Sequence, residues 1–108
     1  MMQPENLYRD IPPECQGETF EQLLDRPGVK LTRIVSYDHA MPDDEWYDQP
    51  EDEWVVLLQG SAKLAFEGES GLTELSEGDY LLIPAHCRHR VAWTSPEVAT
   101  VWLALHVV

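Results

Sequence analysis

Positive charge is scarce in this 108-residue chain, where 7 Lys and Arg face 20 Asp and Glu for a formal net charge of −13. Nucleic-acid binding draws its affinity from Lys and Arg neutralising phosphates, so DNA and RNA are excluded as partners. The same surface is repelled by anionic membranes. Cysteine is almost missing as well, with only Cys15 and Cys87 and no C-x-x-C pair. That leaves no zinc ribbon or redox motif, and no disulfide framework. The N-terminal MMQPENLYRD lacks the basic and apolar regions of a signal peptide. No apolar run approaches the length of a membrane span. A reduced, cytoplasmic, soluble protein is the expectation.

What is present is an ordinary globular composition, 44% hydrophobic and 25% charged, enough for one core and a single domain over 1–108. Residues 1–17, with Pro12-Pro13, read as an irregular lead-in laid along the domain or a partner subunit. Glu18 to Arg26 fits neither helical nor strand period, because Phe20, Leu23 and Leu24 do not fall on one face. Val29 to Tyr37 alternates and reads as a strand, with Arg33 on its apolar face. Asp38 to Asp52 is a loop by composition, carrying seven acidic residues. It has no D-x-D-x-D-G calcium spacing, yet it holds Trp46 and Tyr47. Large rings in a polar loop cover a core edge or line a pocket mouth.

Glu53 to Leu58 and Ala62 to Phe66 read as a hairpin closed at Gly60. Short strands follow at Leu72 to Leu75, Tyr80 to Ile83 and Arg90 to Thr94, each bounded by turn residues. His89, Val91 and Trp93 share a face by alternation. Ala99 to Val107 closes the chain with apolar residues on both faces, and His106 lies on the face of Trp102 and Ala104. Many short strands with regular turn signals and no long helix predict an all-β sandwich or barrel. The doubly apolar last strand suggests that a second copy packs against it, making a homodimer. The chain centres on Gly78 to His89, GDYLLIPAHCRH, where Pro84 ends a buried strand and His86 and His89 follow.

These residues resemble the cupins, and in particular a small single-domain bacterial cupin. That family's second motif runs glycine, five residues, proline, four residues, histidine, matched by Gly78, Pro84 and His89. Its first motif ends in a glutamate and, after six intervening residues, a glycine, matched by Glu53 and Gly60. The resemblance implies an all-β double-stranded β-helix, or jelly-roll, cupin barrel. It departs from the family at the His-x-His pair, where either Trp46 and Asp48 or Tyr47 and Gln49 stand. His86 occupies the usual glycine position, and Trp93 the usual asparagine.

By the resemblance, His89 and Glu53 are metal-ligand positions, and His86, Asp48 or Gln49 could complete a degenerate site. Fe, Mn, Zn or Ni would suit two imidazoles and a carboxylate. Trp46, Tyr47, Trp93, Trp102 and His106 are the candidate pocket residues. The implied function is binding of a small polar molecule, with oxygenase or isomerase chemistry if the protein is an enzyme. The alternative is a metal-free small-molecule-binding or regulatory cupin module without catalysis, and a further one is a purely structural interaction protein.

Overall fold

The computed structural model describes residues 1–11 and 17–108, so Pro12, Pro13 and Cys15 of the lead-in lie outside the described residues. The eight strands run β1 (Gly17–Arg26), β2 (Val29–Tyr37), β3 (Asp52–Gln59), β4 (Ala62–Phe66), β5 (Thr73–Leu75), β6 (Tyr80–Ile83), β7 (His89–Thr94) and β8 (Thr100–Val107). They form a large sheet in the order β1-β2-β8-β3-β6 and a small sheet in the order β5-β4-β7. All pairings are antiparallel. This is the expected all-β jelly roll. Among the described residues no helix is long and apolar enough to cross a membrane.

β1 explains why its sequence fitted no period. The register with β2 shifts between Gln22 and Leu24, leaving Leu23 as an extra residue in a β-bulge. A bulge breaks side-chain alternation, so Phe20 and Leu24 cease to be in phase. The β1–β2 turn is Pro27-Gly28, with Gly28 at φ +79°, the residue pair a tight turn with positive φ at its second position requires.

The core lies between the sheets, where Val55, Leu57, Ala62, Leu64, Leu75, Ile83, Val91, Trp102 and Ala104 form one buried cluster. A smaller cluster of Val35, Ala99 and Val101 sits on the outer face of the large sheet, with Ile11 of the lead-in packed on it. Arg33 fixes that lead-in, because its Nη1 donates to the carbonyls of Leu7 and Arg9 and its Nε lies 3.1 Å from Glu21. The described part of the lead-in therefore lies along the outside of its own domain. Gly60, between β3 and β4, has φ +93°, and a Cβ there would lie 2.5 Å from Thr100 Oγ1. Only glycine lets the hairpin pass β8 so closely.

Candidate functional site

The hollow between the sheets is a cavity of about 130 Å³. Glu53, at the start of β3, pairs across the ladder with His106 of β8. Same-face cross-strand residues lie side by side, and here His106 Nε2 is 3.6 Å from Glu53 Oε2. His89 reaches the same carboxylate from the small sheet, its Nε2 3.4 Å from Glu53 Oε1. Glu53 and His89 are 7% and 5% exposed, so the carboxylate is held away from water between two imidazoles from different strands.

The tautomer of His89 follows from its other nitrogen. Nδ1 lies 2.8 Å from the Cys87 carbonyl, which can only accept, so Nδ1 carries a proton. Nε2 then faces Glu53 either as a lone pair or as the N–H of an imidazolium. Burial pushes the His89 pKa down, but the Glu53 carboxylate and the Cys87 carbonyl prevail and raise it. Neither Glu53 Oε1 nor His106 Nε2 has a hydrogen-bond partner, although both are buried. Such atoms are costly unless something fills the gap between them.

A further carboxylate enters the hollow from β1. The Glu18 side chain is 8% exposed, with Nε2 of His39 3.5 Å away. Its Oε2 accepts from Ser36 Oγ at 2.7 Å, and Tyr47 Oη donates weakly to Oε1 at 3.4 Å. Ser36 Oγ in turn accepts from the Trp102 indole at 3.1 Å. Burial, followed by the charge of Glu18, pushes the Tyr47 phenol up to about 12, so it remains a donor at neutral pH. Glu18 was missed by sequence reasoning because the bulge in β1 disguises a strand whose Glu18 and Phe20 face the cavity.

The loop before β3 is pinned by paired hydrogen bonds between Tyr47 and His89, 2.7 Å one way and 3.2 Å the other. This settles the open choice of spacing. Tyr47 and Gln49 line the hollow, and the extended backbone turns Trp46 and Asp48 away from it. Trp46 instead lies under Arg90, 4.6 Å from ring centre to guanidinium. Asp48 and His86 pair with each other at 2.9 Å on the surface, 48% and 69% exposed. Neither lines the hollow, so the structure does not bring these two expected ligands to Glu53 and His89. His86 nonetheless keeps the backbone of the glycine it stands for, with φ +62°.

Trp93 does not line the hollow either. Strict alternation places it with Val91, but the register with β4 shifts so that Lys63 opposes Trp93 while Leu64 opposes Val91. Ala92 is the extra residue, and Trp93 turns outward beneath Lys63, 5.3 Å from its ring. Trp102 and His106 do line the hollow. Of the metal positions, Glu53, His89 and Gln49 face one another's space. Tyr47 offers a protonated phenol and Gln49 an amide where the resembling family has imidazoles. Among the described residues no group of three or more His, Cys, Asp and Glu is arranged to hold a metal ion. The two imidazoles flank different carboxylate oxygens. The donor set does not fit a three-histidine, one-glutamate site.

The family model for the cupin domain, Cupin_2, matches residues 36–107. A solved structure from Ralstonia eutropha JMP134, provisionally assigned as a mannose-6-phosphate isomerase, is 46% identical over 98% of each chain, with a TM-score of 0.94. A cupin superfamily protein from Desulfitobacterium hafniense, 20% identical over 99% of each chain, superposes with a TM-score of 0.72. A conserved protein of unknown function from Streptococcus pyogenes, 18% identical over 99% of this chain and 88% of that one, gives 0.77. These last two share the fold alone. No curated protein matches the chain.

Proposed function

The chain belongs to the cupin family, and from that premise we propose that it binds a small polar molecule in the barrel hollow, gripped by Glu53, His89 and His106. The observation that carries this reading is the buried Glu53 carboxylate with Oε1 unpartnered, facing an imidazole nitrogen 3.4 Å away. A carboxylate and an imidazole at that separation can pass a proton to and from a bound molecule. Such general acid–base chemistry is what an isomerase uses, and the provisional isomerase assignment of the Ralstonia eutropha protein agrees with it in class.

The particular substrate in that name transfers poorly. Among the described residues no Lys or Arg lines the hollow, and phosphate recognition rests on such cations. The volume of about 130 Å³ is also well below the roughly 300–1,000 Å³ of ordinary ligand pockets. A compound of a few carbon atoms fits better.

A second reading, a divalent metal such as Fe, Mn, Zn or Ni, is favoured by the unpartnered Glu53 Oε1 and His106 Nε2. Elemental analysis of tag-free, metal-replete protein decides it. Stoichiometric metal that disappears in Glu53→Gln and His89→Ala would replace the metal-free reading.

The test of the first reading is a small-fragment screen by NMR, following the Trp102 indole N–H. Hits should lose that response in Glu53→Gln. Carbon-bound protons of a hit should exchange in D2O with the unaltered protein and not with His89→Ala. Hits that bind equally to both variants would overturn the assignment of the site.

A further inference from the structure

Among the described residues, Glu18 and Glu53 are the carboxylates that line the hollow, and no Lys or Arg joins them. Both side chains are more than nine-tenths buried, at 8% and 9% exposure. The imidazoles beside them stand at the edge of bonding distance, His39 Nε2 3.5 Å from Glu18 and His89 Nε2 and His106 Nε2 3.4 and 3.6 Å from Glu53. Two buried carboxylates thus line one small space. Glu53 Oε1 is buried and lacks a hydrogen bond, so at least one acceptor is aimed at an occupant the chain does not itself supply.

Three aromatic rings join the aliphatic side chains of the remaining wall. Phe20, Tyr47 and Trp102 line the same hollow, and ring faces attract cations, most strongly away from water. Carboxylates set among aromatic rings recognise an organic ammonium, whose charge meets the oxygens while its carbon atoms meet the rings. We infer that the ligand is a small organic cation, an amine or quaternary ammonium of a few carbon atoms, seated between Glu18 and Glu53 against Tyr47 and Trp102. This inference rests on the hollow being the binding site proposed above, and it names the chemical class of its occupant.

Other observations agree. The cavity of about 130 Å³ admits such a molecule and little more. A net charge of −13 draws cations toward the protein and slows anions. A neutral polyol would satisfy Glu53 by a hydroxyl donor but would bring no positive charge to either carboxylate. An anion would add a further negative group to the two already there.

The experiment compares isosteres on the unaltered protein. Tetramethylammonium, n-propylammonium, n-propanol, propionate and mannose 6-phosphate are each titrated while the Trp102 indole N–H is followed, its resonance assigned by its loss in Trp102→Phe. At least one of the two cations should saturate, and n-propylammonium at a concentration about ten times lower than n-propanol. Glu18→Gln and Glu53→Gln should each weaken the cation about tenfold, with amide dispersion confirming that the variants are folded. Should both variants unfold, the comparison between n-propylammonium and n-propanol still decides. Equal or tighter binding of n-propanol, or of propionate or mannose 6-phosphate, overturns the cation while keeping the hollow as the site. Stoichiometric capture of Zn²⁺ or Mn²⁺ that blocks both amines overturns it in favour of a metal. No saturable shift from any probe overturns both the cation and the site.

Discussion

The large sheet buries a charged residue on each of its faces, and the two are treated differently. Arg33, 7% exposed on the outer face, donates through Nη1 to two backbone carbonyls, while its Nε lies 3.1 Å from Glu21 without a hydrogen bond. Glu53, also 7% exposed, on the inner face, keeps an oxygen with no hydrogen bond and two imidazoles beyond good bonding distance. The hydrogen bonds of Arg33 go to the backbone of the lead-in, whereas Glu53 meets two imidazoles across 3.4 and 3.6 Å on the wall of a cavity. Arg33 ties the lead-in to the barrel, while Glu53 waits in the cavity.

The comparison breaks most visibly at Arg33. Arg33→Ala strands two carbonyls and releases residues 7 to 11 from the sheet, so a loss of about 3 kcal/mol is expected. That corresponds to a drop in Tm on the order of 10 °C, read by thermal unfolding, together with faster hydrogen exchange over the lead-in. An unchanged Tm would show that Arg33 is incidental. Glu53→Gln should behave in the opposite way. It removes a buried charge that the protein pairs only loosely, so stability should stay within about 1 kcal/mol or rise, while ligand binding weakens about tenfold. A Glu53→Gln protein as unstable as Arg33→Ala would erase the distinction between the two faces.

A smaller effect sharpens the inner face further. The folded pKa of His89 lies above its ordinary 6.5, so the imidazolium is stabilised by folding. That contribution is complete below about pH 6.5 and is lost as pH rises through the folded value. Unfolding measurements from pH 6 upward should therefore show a component of stability that declines with pH. The component should vanish in Glu53→Gln, where the carboxylate that raises the pKa is gone. A decline that persists unaltered in Glu53→Gln would assign it to another group.

Much of this arrangement could be read from the residues, for identifiable reasons. Alternation and turn residues determine strands such as Val29 to Tyr37, and the spacing of Gly78, Pro84 and His89 with Glu53 and Gly60 located the site because backbone geometry enforces it. Gly60 has no room for a Cβ beside Thr100, and position 86 holds positive φ even with a histidine in it. What was illegible came from bulges. One in β1 hid Glu18, and another in β7 turned Trp93 out of the cavity where strict alternation had placed it. A single extra residue inverts every later side chain, and nothing local marks where it falls. The choice between Asp48 and Gln49 was likewise decided at long range, by the Tyr47–His89 hydrogen bonds.

The outer face itself is unevenly covered, and this sets the last and mildest test. Near β2 the lead-in lies over it, with Ile11 on Val35 and Val101. Toward β3 and β6 it is bare: Tyr80 and Leu82 are 65% and 64% exposed. Beside them in register stand Trp54 and Val56, backed by Leu105 and Leu103 of β8. No charged residue interrupts this run, although the chain as a whole carries −13. A second copy presenting the same uncharged face would meet it without charge repulsion at the contact, and isologous pairing of one patch with itself closes a dimer. We therefore expect a homodimer by light scattering, and a monomer for Leu82→Lys with its fold stability changed by no more than about 0.5 kcal/mol. Because Leu82 points away from the hollow, cation binding should survive in that variant. A chain already monomeric at high concentration would leave the outer face without a second copy, and the inner site untouched.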